Sequence, residues 1–214
     1  MVVSPHSDDG VLSVGGFMSA RGRAGEHVEL LTVFALDPES EAETIGWDRR
    51  GGFPTEREAA RGRREEDRRA CAILGVTPRW LPFGSVDYDR HGDEEDVLSA
   101  ITTVVDGAEL VLVPGSPLTH PDHAWLASLL RRRLPPESVA LYAEQPYTLR
   151  ERAEPFAPIA VPVRDRIAKW RAIRRYRTQL PLLKMRRAPR RGPHRLAWTA
   201  ERIAWPDGYD GPPH

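Results

Sequence analysis

The chain is poor in several residue types on which common sites depend. Cys71 is its only cysteine, so an intramolecular disulfide is impossible and a multi-cysteine zinc site is excluded. Its only lysines are Lys169 and Lys184, so nearly all of its positive charge comes from arginine. Any metal bound by this chain must therefore be held by histidine and carboxylate side chains.

Long apolar runs are also missing. No stretch approaches the roughly 20 apolar residues that a membrane-spanning helix needs. The N-terminus lacks a basic region followed by an apolar stretch, so no signal peptide is visible and a cytoplasmic location is expected. The 31 basic and 31 acidic residues cancel to a formal net charge of +0, so we expect no nucleic-acid partner.

Short apolar strands alternate with amphipathic helices along most of the chain. The pattern predicts strands at 1–4, 27–35, 79–83, 109–113 and 139–143, and helices at 11–23, 56–74, 94–105 and 124–133. A strand, a helix and a second strand within about 35 residues form a βαβ unit, which implies a parallel sheet. We therefore predict one α/β, Rossmann-like domain over residues 1–214, with a mainly parallel sheet flanked by helices.

Two segments depart from this alternation. Residues 37–62 begin with a stretch whose apolar residues show no convincing helix or strand periodicity, which is typical of a variable loop or a lid. Residues 165–214 open with a basic helix predicted at 165–183 and become rich in Arg, Pro and Gly, so we expect a C-terminal helical extension and tail. The basic segment from Arg164 to Arg195 is expected to form a solvated helix face; a rim for an anionic substrate and nucleic-acid binding are the alternatives.

Histidine and aspartate are concentrated in two loops that each follow an apolar strand and precede a helix. The first loop runs from Ser4 to Asp9 and the second from Thr119 to His123. In a parallel sheet, ligands bind outside the carboxyl ends of the strands. We therefore expect the two loops to meet at one edge of the sheet.

The spacing within the loops suits a catalytic zinc site of three protein ligands and one open position. His6 and Asp9 lie three residues apart on a turn entering a helix, and His123 can supply the third ligand. Asp8 adjoins this set but points elsewhere, which suits a general base. His120 lies about one helical turn before His123, so a protonated His120 could stabilise an oxyanion or donate to a leaving nitrogen.

Each loop alone also has a simpler interpretation. Asp8 or Asp9 could cap the first helix, and His6 could be a hydrogen-bonded loop residue. Pro121 is common at the first position of a helix. The interpretation as a metal site depends on what the two loops share. Both combine His with Asp, follow an apolar strand and precede a helix.

The motifs PHSDD near the N-terminus and HPDH in the second loop resemble those of the LmbE-like, or PIG-L, family of zinc N-deacetylases. The resemblance implies His6, Asp9 and His123 as metal ligands, Asp8 as the base and His120 as the electrostatic or acid partner. It also implies a substrate-contacting arginine, at Arg63 or Arg64, and an acidic contact to sugar hydroxyls, at Asp87.

The sequence departs from the family pattern at two positions of the first motif. Ser7 stands where proline is usual, and Gly10 stands where glutamate is common. The stretch from 39 to 62 has no strong match either, and substrate recognition varies in such loops. These departures weaken the substrate assignment more than the metal assignment.

Together these features predict a zinc-dependent hydrolase that removes an N-acyl group, acetyl by preference, from an amino sugar or a glycoside-type small molecule. Iron is the alternative metal for a site of two His and one Asp. A zinc amidase acting on another small amide, such as a thiol conjugate, is the alternative enzyme. A non-catalytic or anionic-ligand-binding module is the alternative of another class.

Overall fold

A computed structural model describes residues 1–147, 156–183, 192–209 and 211. The first half of the chain alternates strands and helices, as its sequence pattern predicts. Its elements are β1 (Val2–Ser4), α1 (Asp9–Arg23), β2 (Glu29–Thr32), α2 (Gly46–Arg50), α3 (Glu56–Leu74), β3 (Thr77–Trp80) and α4 (Glu94–Val105), with a 3₁₀ helix at Val86–His91 before α4.

The second half completes the sheet and adds helices to one of its faces. Its elements are β4 (Val111–Ser116), α5 (Pro121–Arg133), β5 (Val139–Ala143), β6 (Ala157–Pro158), α6 (Val163–Ile173), α7 (Gly192–Trp198) and β7 (Arg202–Ala204), with a 3₁₀ turn at Pro136–Ser138 before β5. Most of the Arg-rich stretch, residues 184–191, lies outside the described residues.

The seven strands form one sheet in the order β3-β2-β1-β4-β5-β7-β6. β1 to β5 are parallel, whereas β7 is antiparallel to both β5 and β6. The sheet is thus mainly parallel, and the predicted α/β fold is confirmed. Within the described part of the chain, no helix is long and apolar enough to cross a membrane.

Helices cover both faces of the sheet because successive strand residues point to opposite sides. Val2, Leu30 and Leu112 face a core that also contains apolar residues of α1, α3, α6 and α7. Val3 and Leu31 face a second core formed with α4 and α5. These two cores leave the loops at the carboxyl ends of the strands free to form a site.

Several predicted boundaries need correction. The strand predicted at 79–83 is β3 at 77–80, because the chain pairs in register with β2 there. The segment at 37–50, predicted to be irregular, contains the short helix α2. The helix predicted at 165–183 ends at Ile173, and the strands β6 and β7 were not predicted.

Candidate active site

The two His/Asp loops leave neighbouring strands. β1 pairs with β2 on one side and with β4 on the other. The strand order reverses between β1 and β4, and in open parallel sheets ligands bind at such a switch point. This position brings the loop at Ser4–Asp9 against the loop that precedes α5.

Ser4 fixes the shape of the first loop. Its hydroxyl donates to the carbonyl oxygen of His6, at 2.7 Å, and accepts the backbone N–H of Gly10, at 2.9 Å. A Cβ atom at Gly10 would lie 2.6 Å from Cδ1 of Leu30. A larger side chain here would require the end of the Leu30 side chain to move.

Three side chains from the two loops bring one donor atom each to a common point. Nδ1 of His6 lies 3.2 Å from Oδ2 of Asp9 and 3.2 Å from Nε2 of His123. Oδ2 of Asp9 lies 3.1 Å from the same nitrogen of His123. Ligand atoms 2.0–2.1 Å from a tetrahedral zinc ion would lie about 3.3–3.4 Å apart. These residues therefore fit a small divalent cation in both donor chemistry and spacing.

The opposite nitrogen of each imidazole contacts a buried carboxylate. Nε2 of His6 lies 3.0 Å from Oδ2 of Asp122, and Nδ1 of His123 lies 2.5 Å from Oε1 of Glu144. Donation to these carboxylates keeps the proton on the far nitrogen and directs the lone pair of the near nitrogen toward the shared point. This is the arrangement usual for histidines that bind metal.

Asp9 and each of the two imidazoles favour one another's charged forms, whereas the two imidazoles disfavour each other's. Burial alone would lower the pKa of His6, but hydrogen bonds to Asp122 and Asp9 raise it to about 9. Burial alone would raise the pKa of Asp9, but His123 and His6 hold it well below its usual range. A cation bound at their centre would displace the protons of the imidazoles.

Asp8 does not cap α1, contrary to the simpler interpretation of the sequence. It precedes the helix with φ of 104°, a conformation that is strained for a residue with a side chain, and its carboxylate makes no capping hydrogen bond. The side chain lines the pocket beside Asp9. Burial, and next the charge of Asp9, raise the pKa of Asp8 well above its usual value.

His120 lies at the start of α5 and belongs to a cluster of three histidines that is compatible with a metal ion. One ring nitrogen each of His6, His120 and His123 lies within 4.8 Å of the others. Nδ1 of His120 accepts the backbone N–H of Asp122 at 3.2 Å. Burial, followed by the neighbouring histidines, lowers the pKa of His120 to about 4. The lowered pKa and the acceptor role of Nδ1 both favour the neutral ring with its proton on Nε2.

A pocket of about 310 Å³ opens beside these residues. Its size is at the lower end of the range for small-molecule sites. Its walls come from the two loops, from α2 and α3, and from the turn after α6. Besides the loop residues, they include Phe34, Leu36, Trp47, Asp48, Arg50, Arg63, Asp87, Tyr88, Tyr147, Gln179 and Leu183.

The two candidate arginines of α3 point in different directions. Arg63 is buried at the pocket wall, where Nε and Nη2 donate to Oδ1 of Asp48 and Nη1 donates to the hydroxyl of Thr178 at 2.9 Å. Arg64 instead donates to the carbonyl oxygen of Leu36 at 2.7 Å. Of the pair, Arg63 is the one beside the pocket.

Asp87, in the 3₁₀ helix, and Trp47, in α2, both line the pocket. A Cβ atom at Gly46 would lie 2.1 Å from Oδ2 of Asp87, so the two segments are in close contact. Trp47 carries the guanidinium of Arg50 over its ring at 5.3 Å. The segment predicted as a variable loop thus provides one wall of the pocket.

Comparison with known proteins places these motifs in a family. Residues 1–134 match the profile of a family described as PIG-L, GlcNAc-PI de-N-acetylase. The chain belongs to the PIG-L family. The 2′-N-acetylparomamine deacetylase of Streptomyces fradiae is 32% identical over 168 residues, or 69% of this chain. The match spans 57% of that enzyme's length, less than two thirds.

Two solved structures share this fold over nearly the whole of both chains. The deacetylase of the A40926 pseudoaglycone is 26% identical, with a TM-score of 0.72 over 96% of this chain and 95% of that one. The 4-carboxy-2-hydroxymuconate hydratase of Pseudomonas putida is 21% identical, with a TM-score of 0.65 over 99% and 98%. The second likeness concerns the fold alone, so the reaction must be argued from the site.

Sequence reasoning missed several residues that hold this PIG-L site together. Asp122, the third residue of HPDH, holds His6, although the motif was interpreted only through its histidines. Asp48 holds Arg63 and also accepts the hydroxyl of Tyr88 at 3.2 Å. The buried Asp67 accepts hydrogen bonds from Thr32, Trp80 and Tyr176. Asp122 lies inside a recognised motif, whereas Asp48 and Asp67 have no local sequence signal.

Proposed function

We propose that this protein is a zinc-dependent N-deacetylase that hydrolyses the acyl amide of an amino sugar in a glycoside-type small molecule. The observation that carries the proposal is the convergence of His6, Asp9 and His123 beside the carboxylate of Asp8 in one pocket. Membership of the PIG-L family supports the reaction. Two relatives support the substrate class, since they are named as deacetylases of 2′-N-acetylparomamine and of the A40926 pseudoaglycone.

His6, Asp9 and His123 are the proposed metal ligands. A divalent cation held by them would supply a Lewis acid for the amide carbonyl and would lower the pKa of water at its open position. Asp122 and Glu144 keep the two imidazoles in the orientation this requires. Zinc is the metal that this donor set favours, and iron is the alternative.

Asp8 is the proposed general base and acid. Its raised pKa makes its carboxylate a stronger proton acceptor than an exposed aspartate. It takes a proton from the water that adds to the carbonyl carbon, and returns the proton to the nitrogen as the C–N bond breaks. The products are a carboxylic acid and a free amine.

His120 is the proposed oxyanion donor. Its Nδ1 accepts the backbone N–H of Asp122, which leaves Nε2–H as the donor. A neutral imidazole in this state can hydrogen-bond to the oxygen that becomes negative when water adds to the amide. Such a donor typically contributes a factor of about 10²–10³ to the rate.

The pocket wall supports a sugar as the rest of the substrate. Arg63 and Asp87 offer a donor and an acceptor for hydroxyl groups, and Trp47 offers a ring face for the apolar side of a sugar. Arg64, the other candidate, does not line the pocket and donates to the carbonyl oxygen of Leu36. We therefore assign substrate contact to Arg63 and Asp87.

An assay with three kinds of amide tests the proposal. The zinc-loaded protein is incubated with simple N-acetylglucosaminides, with 2′-N-acetylparomamine and with N-acylated cysteine conjugates, and released acid and free amine are both measured. We expect equimolar acid and amine from an amino sugar. Cleavage of the cysteine conjugates alone would favour the thiol-conjugate amidase, and binding of the sugars without any cleavage would favour a non-catalytic module.

A further inference from the structure

Helix α1, which begins at the proposed ligand Asp9, is interrupted after little more than one turn. Val14 has φ of −130° and ψ of 24°, which are not helical values, and the helix resumes after it. Such an interruption leaves backbone N–H and C=O groups without their partners within the helix. Because these groups are buried, they need partners from elsewhere.

Two charged side chains from the C-terminal part of the chain supply those partners. The carboxylate of Glu201 accepts the N–H of Gly16 with one oxygen and the N–H of Phe17 with the other, both at 2.8 Å. Nζ of Lys169 donates to the carbonyl oxygen of Ser13 at 3.3 Å and lies 2.8 Å from Oε1 of Glu201. The ion pair is therefore inserted into the break.

The sequence on both sides makes room for this pair. A Cβ atom at Gly16 would lie 2.9 Å from Oε1 of Glu201, and one at Gly15 would lie 3.2 Å from Cγ of Lys169. Both charged side chains are almost fully buried. The second half of α1 thus begins with a carboxylate bound to its first free N–H groups, where the helix dipole favours negative charge.

The first half of α1 is connected to the other loop of the metal site through the same residue. The hydroxyl of Ser13 accepts the backbone N–H of Gln145 at 3.1 Å. Gln145 follows Glu144, which holds His123. Lys169 binds the carbonyl oxygen of Ser13. It therefore contacts the segment that connects Asp9 to the residues supporting His123.

We infer that Lys169 and Glu201 are positioning residues for the metal site. They hold the break in α1, and the break sets the direction in which the first turn presents Asp8 and Asp9. This inference rests on the proposed function, since it assumes that Asp9 is a metal ligand. In this view the C-terminal segment supports the metal site without direct contact with the substrate.

Glu201→Gln tests the inference against Asp165→Asn as a matched control. Asp165, in α6, is equally buried and also contacts α1, but it does so beyond the break, by accepting from Ser19 and pairing with Arg23. Each purified variant is stripped of metal and titrated with zinc by calorimetry. Melting temperature, kcat and KM are then measured for the reloaded proteins.

We expect both variants to melt at a lower temperature, but only Glu201→Gln to bind zinc more weakly, by about 10–100-fold, the range for residues that support metal ligands. Its kcat should fall with KM unchanged, and the amides of Gly16 and Phe17 should exchange hydrogen faster. If Glu201→Gln does not fold, Lys169→Met/Glu201→Gln removes both charges together and is expected to show the same weakened zinc binding.

Three results would overturn the inference. If the Glu201 variant melts at a lower temperature but keeps the zinc affinity and kcat of the wild type, the ion pair has a purely structural role. Equal losses of zinc affinity in the Asp165 control would show that the effect is not specific to the break. Wild-type protein that binds no zinc would overturn the proposed function as well, so the two failures are distinguishable.

Discussion

Glu144 lies directly behind His123, with its Oε1 2.5 Å from Nδ1 of the imidazole, and both side chains are almost fully buried. The hydrogen bond joins the residue that follows β5 to the first turn of α5. Since burial raises the pKa of Glu144, its carboxylate is a strong acceptor for the imidazole N–H. Supporting partners of this kind commonly determine metal affinity.

Glu144→Ala should weaken zinc binding by about 10–100-fold, because His123 loses the group that fixes its ring and its proton. Titration of the metal-free protein by calorimetry measures the effect. Glu137→Gln, an exposed glutamate in the turn before β5, is the matched control and should bind zinc like the wild type. Equal affinity in all three proteins would show that Glu144 does not support a metal ligand.

Asp8→Asn should lower kcat by about 10²–10⁴-fold, the usual contribution of a general base. Bound zinc should stay stoichiometric, because the proposed ligand is the neighbouring Asp9. Metal content by mass spectrometry and initial rates of acid release provide the two measurements. Activity close to that of the wild type would refute the assignment of the base.

His120→Ala separates two uses of this histidine, which lies close to His6 and His123. If His120 is an oxyanion donor, its loss should reduce kcat about 10²–10³-fold and leave zinc bound. His123→Ala is the comparison and should lose the metal. If the His120 variant also fails to retain zinc, His120 is a ligand instead.

Arg63→Ala and Arg64→Ala form a pair that tests which arginine reaches the substrate. Arg63 lines the pocket, whereas Arg64 donates to the carbonyl oxygen of Leu36. A hydrogen bond from a charged group is worth about 1.5–3 kcal/mol, so Arg63→Ala should raise KM roughly 10–100-fold. The Arg64 variant should keep the wild-type KM. The reverse pattern in steady-state kinetics would exchange the two assignments.

The parallel part of the fold was predictable because local signals are strong there. Apolar strands and amphipathic helices alternate from Val2 to Ala143, and α4 and β5 have the predicted bounds. The meeting of the two loops also followed from the sequence, since both leave carboxyl ends of strands in one sheet. The roles of His6, Asp9 and His123 as ligands stay a prediction, although the structure brings these side chains together.

The C-terminal part was predicted less well, because tertiary contacts determine its structure. The helix from Val163 ends at Ile173, and the turn that follows buries Tyr176, whose hydroxyl donates to Asp67 at 2.8 Å. β7 has only three residues and is identified by its pairing with β5. Partners more than a hundred residues apart in sequence, such as Glu201 and Gly16, leave no periodic signal.

The proposed reaction depends above all on one cation held between the two loops, so the most direct test is to locate that cation. Crystals of the protein soaked in zinc should give an anomalous difference peak about 2.0–2.2 Å from Nδ1 of His6, an oxygen of Asp9 and Nε2 of His123. A fully occupied peak at that position is the result we predict. The absence of a peak between these three side chains at saturating zinc, or zinc bound only elsewhere on the protein, would contradict the proposal.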